Sequence, residues 1–194
     1  MAIQAKRIEP HWNYLLAIER DVERLSRYIE FDKRNFDCFS IEIARVLLAS
    51  GAEVDVVCKQ LCRVLNPTSS ASNINAYRDE IKTAFPTMPQ FEVLISRFGL
   101  TLTPWDEWSK PDGVPFWWTA YNKTKHQRDS EYHRASLKNA LNAVAGLFVA
   151  VLHLYKDKAR AGELLPPAQL LRVSDRHYLG DTHQGYEFGI NYDI

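Results

Sequence analysis

A chain of 194 residues that is 46% apolar and 25% charged is long enough to bury one sizeable core and too short for several domains. Its 24 basic residues balance 24 acidic ones, so net charge exerts no overall pull toward a nucleic acid or a membrane, and any such attraction has to be local. The cysteines, Cys38, Cys58 and Cys62, are three in number, and an odd count without a regular framework argues against a secreted disulfide scaffold.

Residues 1–7 lack the apolar core of a signal peptide, so a cytoplasmic location is the default expectation. In residues 11–30, Trp12, Leu15, Leu16, Ile18, Val22, Leu25 and Tyr28 recur at helical spacing, which predicts a first helix. Glu19, Arg20, Asp21, Glu23, Arg24 and Arg27 are assigned to its solvated face. Residues 32–39 are polar and broken and read as a loop. Ser40 suits the cap of a second helix, which runs to Leu65 and ends at Asn66-Pro67, because the residue before proline avoids helical geometry. Its apolar line includes Gly51, Val54, Cys58, Leu61 and Cys62. The two thiols have no second Cys or His pair to complete a tetrahedral metal site, so they are assigned to the core and no metal is expected. Asp55 falls on or beside this line and needs a partner, either Lys59 one turn later or a group on another helix.

Residues 73–85 form a plausible short helix stopped by Pro86. An irregular insertion follows at about 86–114, with room for one small hairpin. Pro115 suits the first turn of a helix over residues 115–128. A further helix is expected from about 131 to 156. Residues 139–155 carry no Asp, Glu, Lys or Arg. The run is slightly short of the ~18 residues that signal a membrane span and contains Asn139, Asn142 and His153, so the expectation is a core helix apolar on all sides and no membrane partner. Residues 161–194, in which Pro166-Pro167 is followed by aromatic and polar residues without helical spacing, are expected as an extended tail packed on the helices or at a dimer interface. The fold class is thus mainly α, a four- to five-helix bundle over residues 1–160 with an irregular or hairpin insertion and an extended C-terminal tail.

The residues most suggestive of chemistry lie in 117–128. On a helix, Trp118, Asn122 and His126 form one i, i+4 row, and Tyr121, Lys125 and Arg128 form a neighbouring one. Lys123, Lys125 and Arg128 make a local basic cluster that could hold a phosphate backbone. His126 is the side chain type suited to proton transfer near neutrality. The same spacing also fits an ordinary amphipathic helix, with Asn122 and His126 satisfying buried backbone or a carboxylate such as Glu53 or Asp55.

Over residues 11–156 the order of these features resembles the HEPN superfamily (higher eukaryotes and prokaryotes nucleotide-binding domains). The resemblance rests on the acidic helix carrying Ser40, Glu42, Gly51, Glu53, Asp55 and Cys58, then the run Tyr121-Asn122-x-x-Lys125-His126-x-Arg128, then the apolar helix that opens with Asn139 and Asn142. It implies a small helical bundle, often a ribonuclease or toxin of a prokaryotic defence or toxin-antitoxin system. Such enzymes work as dimers that cut RNA without a metal or other cofactor. The family motif is arginine, a polar residue, three or more variable residues and histidine. Asn122 matches the polar position and His126 the histidine, while Tyr121 stands in the arginine's place. A neutral hydroxyl cannot grip phosphate as a guanidinium does. By the resemblance, His126, Asn122 and Tyr121 form the catalytic set. Lys125, Arg128 and Lys123 contact phosphate, and Glu53 or Asp55 positions the helix from across the bundle. The implied partners are RNA, a second copy of the chain, and a cognate antitoxin or defence protein. A non-catalytic module binding nucleic acid or a partner protein, and a structural dimerising bundle, are the alternatives.

Overall fold

The computed structural model describes residues 9–184 and 186–194. Five helices of eleven residues or more appear in the expected order: α1 (Pro10–Leu25), α2 (Ile41–Leu65), α3 (Ile74–Ala84), α4 (Phe116–His126) and, after the one-turn α5 (Arg128–Glu131), α6 (Leu137–Leu154). A last short helix, α7 (Lys156–Arg160), follows at once. Their ends are set by local chemistry. Ser40 Oγ accepts the Ile43 N–H at 3.2 Å at the start of α2, Asn73 accepts from Asn75 and Ala76 at 3.1 Å at the start of α3, and extended Asn66 before Pro67 ends α2. Helix α1 stops short of its expected end. The Arg27 and Tyr28 amides bond three residues back, to Arg24 and Leu25, which tightens the last turn and swings Tyr28 out to 84% exposure.

Helix α6 is the centre. It is long and apolar enough by composition to cross a membrane, yet most of it is buried inside the protein. Helix α2 packs along it, and α1 and α4 cover it further. Its all-round apolar character is that of an element surrounded by others. Cys58 and Cys62 lie fully buried in α2, as expected of core thiols. Burial pushes the Cys58 thiol well up, and burial followed by the neighbouring Glu80 pushes Cys62 up to about 12, so neither supplies a thiolate near neutrality.

The insertion holds the expected hairpin, β1 (Val93–Ile95) and β2 (Leu100–Leu102), antiparallel with Val93 opposite Leu102 and Ile95 opposite Leu100. Gly99 provides the left-handed residue of its turn, at φ 61°. The C-terminal tail differs from the extended arm expected of it. It contributes β3 (Arg172–Val173) to the free edge of β1, giving the order β2-β1-β3, and then folds on itself as a hairpin of β4 (Tyr178–Gln184) and β5 (Glu187–Tyr192). The architecture is therefore mainly α with two small antiparallel sheets. The strand partner of β3 lies about eighty residues earlier in the chain, where local periodicity carries no trace of it.

Glu19 departs from its expected place on the solvated face of α1. It is buried, and its carboxylate accepts the backbone N–H groups of Gln169, Leu170 and Leu171 at 3.0, 2.8 and 2.9 Å. A buried carboxylate is tolerable because these donors satisfy it. The tail is further seated by Trp12, whose indole N–H donates to the Pro166 carbonyl at 3.0 Å, and by Tyr192, whose ring meets Phe148 of α6 at 6.2 Å.

Candidate functional site

Helix α4 has an anchored side and an open C-terminal end. On the anchored side, Trp117 and Tyr121 are one turn apart, and each enters a gap left by a glycine. A methyl group at Gly146 of α6 would lie 2.7 Å from the Trp117 ring, and one at Gly51 of α2 would overlap the Tyr121 ring. The Trp117 indole N–H donates to the Pro104 carbonyl at 2.6 Å, and Trp105 donates to the Gly146 carbonyl at 3.2 Å. Trp105 lies 4.2 Å from Trp108 and 5.2 Å from Trp117 between ring centres. These large buried rings fix the position and rotation of α4. Arg78 of α3 secures the loop before it, donating to the Gly113 carbonyl at 3.2 Å.

The open end presents Asn122 and Lys123 half-buried and Lys125 and His126 exposed. Asn122 and His126 share one row, as their spacing requires. Lys123 donates to Gln127 Oε1 at 2.8 Å, and Lys125 Nζ lies over the Tyr121 ring, 5.6 Å from its centre. Among the described residues, no carboxylate forms an ion pair with Lys123, Lys125, His126 or Arg128. Cations in the last turn also complement the negative end of the helix dipole.

Three expectations change in this geometry. Tyr121 is only 4% exposed, and its ring is committed to Gly51, so it serves packing at the surface expected to be catalytic. Arg128 is not in a helical row with Tyr121 and Lys125, because α4 ends at Gln127, whose φ of −137° and ψ of 39° are not helical. Arg128 begins α5 and lines a cavity of about 280 Å³ with Ile41, Ala44, Arg45, Leu48 and Tyr132. Glu53 and Asp55 bond to helices other than α4. Glu53 Oε1 lies 2.6 Å from His11 Nδ1 on α1. Asp55 accepts the Tyr77 hydroxyl of α3 at 3.0 Å and Lys59 Nζ at 3.5 Å, so both partners considered for it are present. Burial and then the Asp55 acceptor push the Tyr77 hydroxyl up.

The Arg128 cavity shares Arg45 and Leu48 with a groove of about 610 Å³ between α1 and α2. Ile18, Leu25, Tyr28, Val46 and Ala49 line this groove, and Asp21, Arg24, Glu42 and Arg45 supply charges of both signs. Ile41 stands beside it at 72% exposure.

Two histidines gain their significance only from tertiary packing. His11 bridges Glu53 and Gln60, with its Nε2 2.7 Å from Gln60 Oε1. His153, inside the apolar run of α6, has its Nδ1 2.8 Å from the Val149 carbonyl and meets the Phe85 ring edge-on at 4.7 Å. Burial, and secondarily the charges of His177 and Lys156, bring His153 down to about 4. Its one sequence signal was a polar residue in an otherwise apolar helix. Among the described residues there is no cluster of three side chains that could hold a metal ion. Compared with protein-family models, with curated proteins and with solved structures, the chain gives no match to any of them.

Proposed function

We propose that the chain is a HEPN-like protein that acts on RNA, binding the phosphate backbone at the open end of α4. The observation that carries this reading is the group of exposed or half-exposed cations, Lys123, Lys125 and Arg128, none of them in a salt bridge among the described residues and only Lys123 attracted at longer range by a carboxylate, Glu131, in a chain whose charges otherwise balance. Unpaired cations attract phosphate without first breaking an ion pair. The order of the helices, with the acidic α2 packed against both α4 and the apolar α6, supports the resemblance.

Binding without cleavage is the better supported form. The burial of Tyr121 leaves no guanidinium at the motif position, and Arg128 sits beyond the break at Gln127. Cleavage is favoured by one arrangement, the exposed His126 one turn from Asn122, where imidazole could move a proton and the amide could hold a ribose hydroxyl. The groove between α1 and α2 supports a homodimer. It is apolar with charges of both signs, which suits a self-complementary contact, and it adjoins the Arg128 cavity. A cognate antitoxin or defence protein is the alternative occupant in the setting that the resemblance suggests.

The test measures RNA binding over a range of salt and RNA cleavage in EDTA. Lys125→Ala with Arg128→Ala should weaken binding and flatten the salt slope by about 1.4, roughly 0.7 per lost single-strand phosphate contact. Unchanged binding by this double variant sinks the reading. Cleavage in EDTA that is abolished by His126→Ala would select the nuclease form. Light scattering that gives a monomer at all concentrations removes the dimer.

A further inference from the structure

A second site lies on the far side of the core from the sequence motif, where the ends of α2, α3 and α6 meet α7. A cavity of about 460 Å³ opens there, lined among others by Val64, Leu65, Phe85, His153, Lys156 and Asp157. This volume falls within the range of small-molecule sites.

The floor of the cavity carries a polar group whose role is fixed by geometry. The Val149 carbonyl can only accept, so His153 Nδ1 at 2.8 Å must carry the proton. The ring is 3% exposed and neutral in such surroundings. Its Nε2 is therefore a bare acceptor. It has no hydrogen-bond partner among the described residues, and it is not among the fully enclosed unpartnered atoms. A lone pair held at the wall of a cavity calls for an N–H or O–H donor.

The remaining walls narrow the ligand further. Phe85 offers a flat apolar surface, with His153 at its edge, 4.7 Å between ring centres and 81° between planes. Lys156 Nζ lies over the same ring, 5.5 Å from its centre. It forms no ion pair with a carboxylate among the described residues, whereas Lys158 is paired with Glu9. Lys156 is the rim cation left for an incoming anion, and a carboxylate placed against it makes one ion pair.

We infer that this cavity binds a small planar aromatic monocarboxylic acid that bears an N–H or O–H donor. The ring lies along Phe85, the donor meets His153 Nε2 and the carboxylate meets Lys156. This site is independent of RNA binding at α4, since it shares none of those residues.

Calorimetric titration of the full chain with indoleacetate, with naphthaleneacetate as the isostere that lacks the N–H, tests the assignment. Indoleacetate should bind, and naphthaleneacetate should bind about tenfold more weakly, the loss expected when a buried acceptor stays unpaired. Lys156→Ala, a rim substitution, should weaken indoleacetate by about tenfold. The ring ¹⁵N signal of His153 Nε2 should move on addition of indoleacetate and stay in place with naphthaleneacetate, a readout that needs no core variant. Absence of indoleacetate binding at about 5 mM, equal affinity for the two acids, or unchanged affinity in Lys156→Ala each overturns the proposal.

Discussion

The inward rings of α4 and the cations at its open end are built on opposite principles. The inner side puts Trp117 and Tyr121 against Gly146 and Gly51, where a single added methyl group has no room. The outer end puts Lys123, Lys125 and His126 where no carboxylate of the described chain forms a salt bridge with them. The inner side makes the outer one rigid. A phosphate-binding surface costs less to use when its cations stand on a helix already fixed by buried rings, because little backbone order remains to be lost on binding. The comparison also accounts for Tyr121. Its ring faces the core, and Gly51 is the space that accepts it.

The largest effect should come from emptying the inner side. Trp117→Ala removes a fully buried ring and its hydrogen bond to Pro104, and should cost about 3–5 kcal/mol by chemical denaturation. If the cost is under about 1 kcal/mol, α4 is not held in the way described. Next is the buried His153. Its proton affinity is depressed to about 4 from an ordinary 6.5, so the unfolded chain binds a proton that the folded chain refuses between those values. Stability should be fully present above about pH 6.5 and fall as pH drops toward 4, by an amount on the order of 3 kcal/mol, with a flatter profile in His153→Phe. A smaller effect separates packing from helix propensity. Gly51→Ala would stabilise an exposed helix by roughly 0.5–1 kcal/mol, but against the Tyr121 ring it should destabilise by about 1–3 kcal/mol. Gly51→Ala combined with Tyr121→Leu should recover part of that loss. The smallest effect on stability belongs to the outer side. Lys125→Ala with Arg128→Ala should leave unfolding within about 0.5 kcal/mol of the parent while RNA binding falls, which separates the two sides cleanly. Equal losses of stability from the outer and inner substitutions would erase the distinction.

Much of the helical framework is legible in neighbouring residues. Ser40 and Asn73 announce helix starts because their side chains bond to amides two or three positions on. Pro67 and Pro86 announce ends because they restrict the residue before them. The apolar run of α6 reads as a central helix for the same local reason. The candidate site is legible only in part. Asn122 and His126 share a row because i, i+4 spacing alone requires it, but Arg128 leaves the row its spacing predicts because nothing local marks the break at Gln127. Glu19 looks like every other charged residue on α1, and its three backbone donors lie some 150 residues away.

The sequence by itself determined where α2 and α3 begin and end, which helix is central, and that a basic-aromatic run sits near the end of α4. Those outcomes depend on capping, proline geometry and side-chain periodicity, all interactions between residues within a few positions of each other. Only the tertiary structure decided that Tyr121 turns into a glycine gap, that Glu53 bonds to His11 rather than to α4, that the tail supplies strands, and that His153 faces a cavity. Each of those depends on which distant surface fills a given volume or satisfies a given buried polar group, and close packing settles that across the whole chain at once.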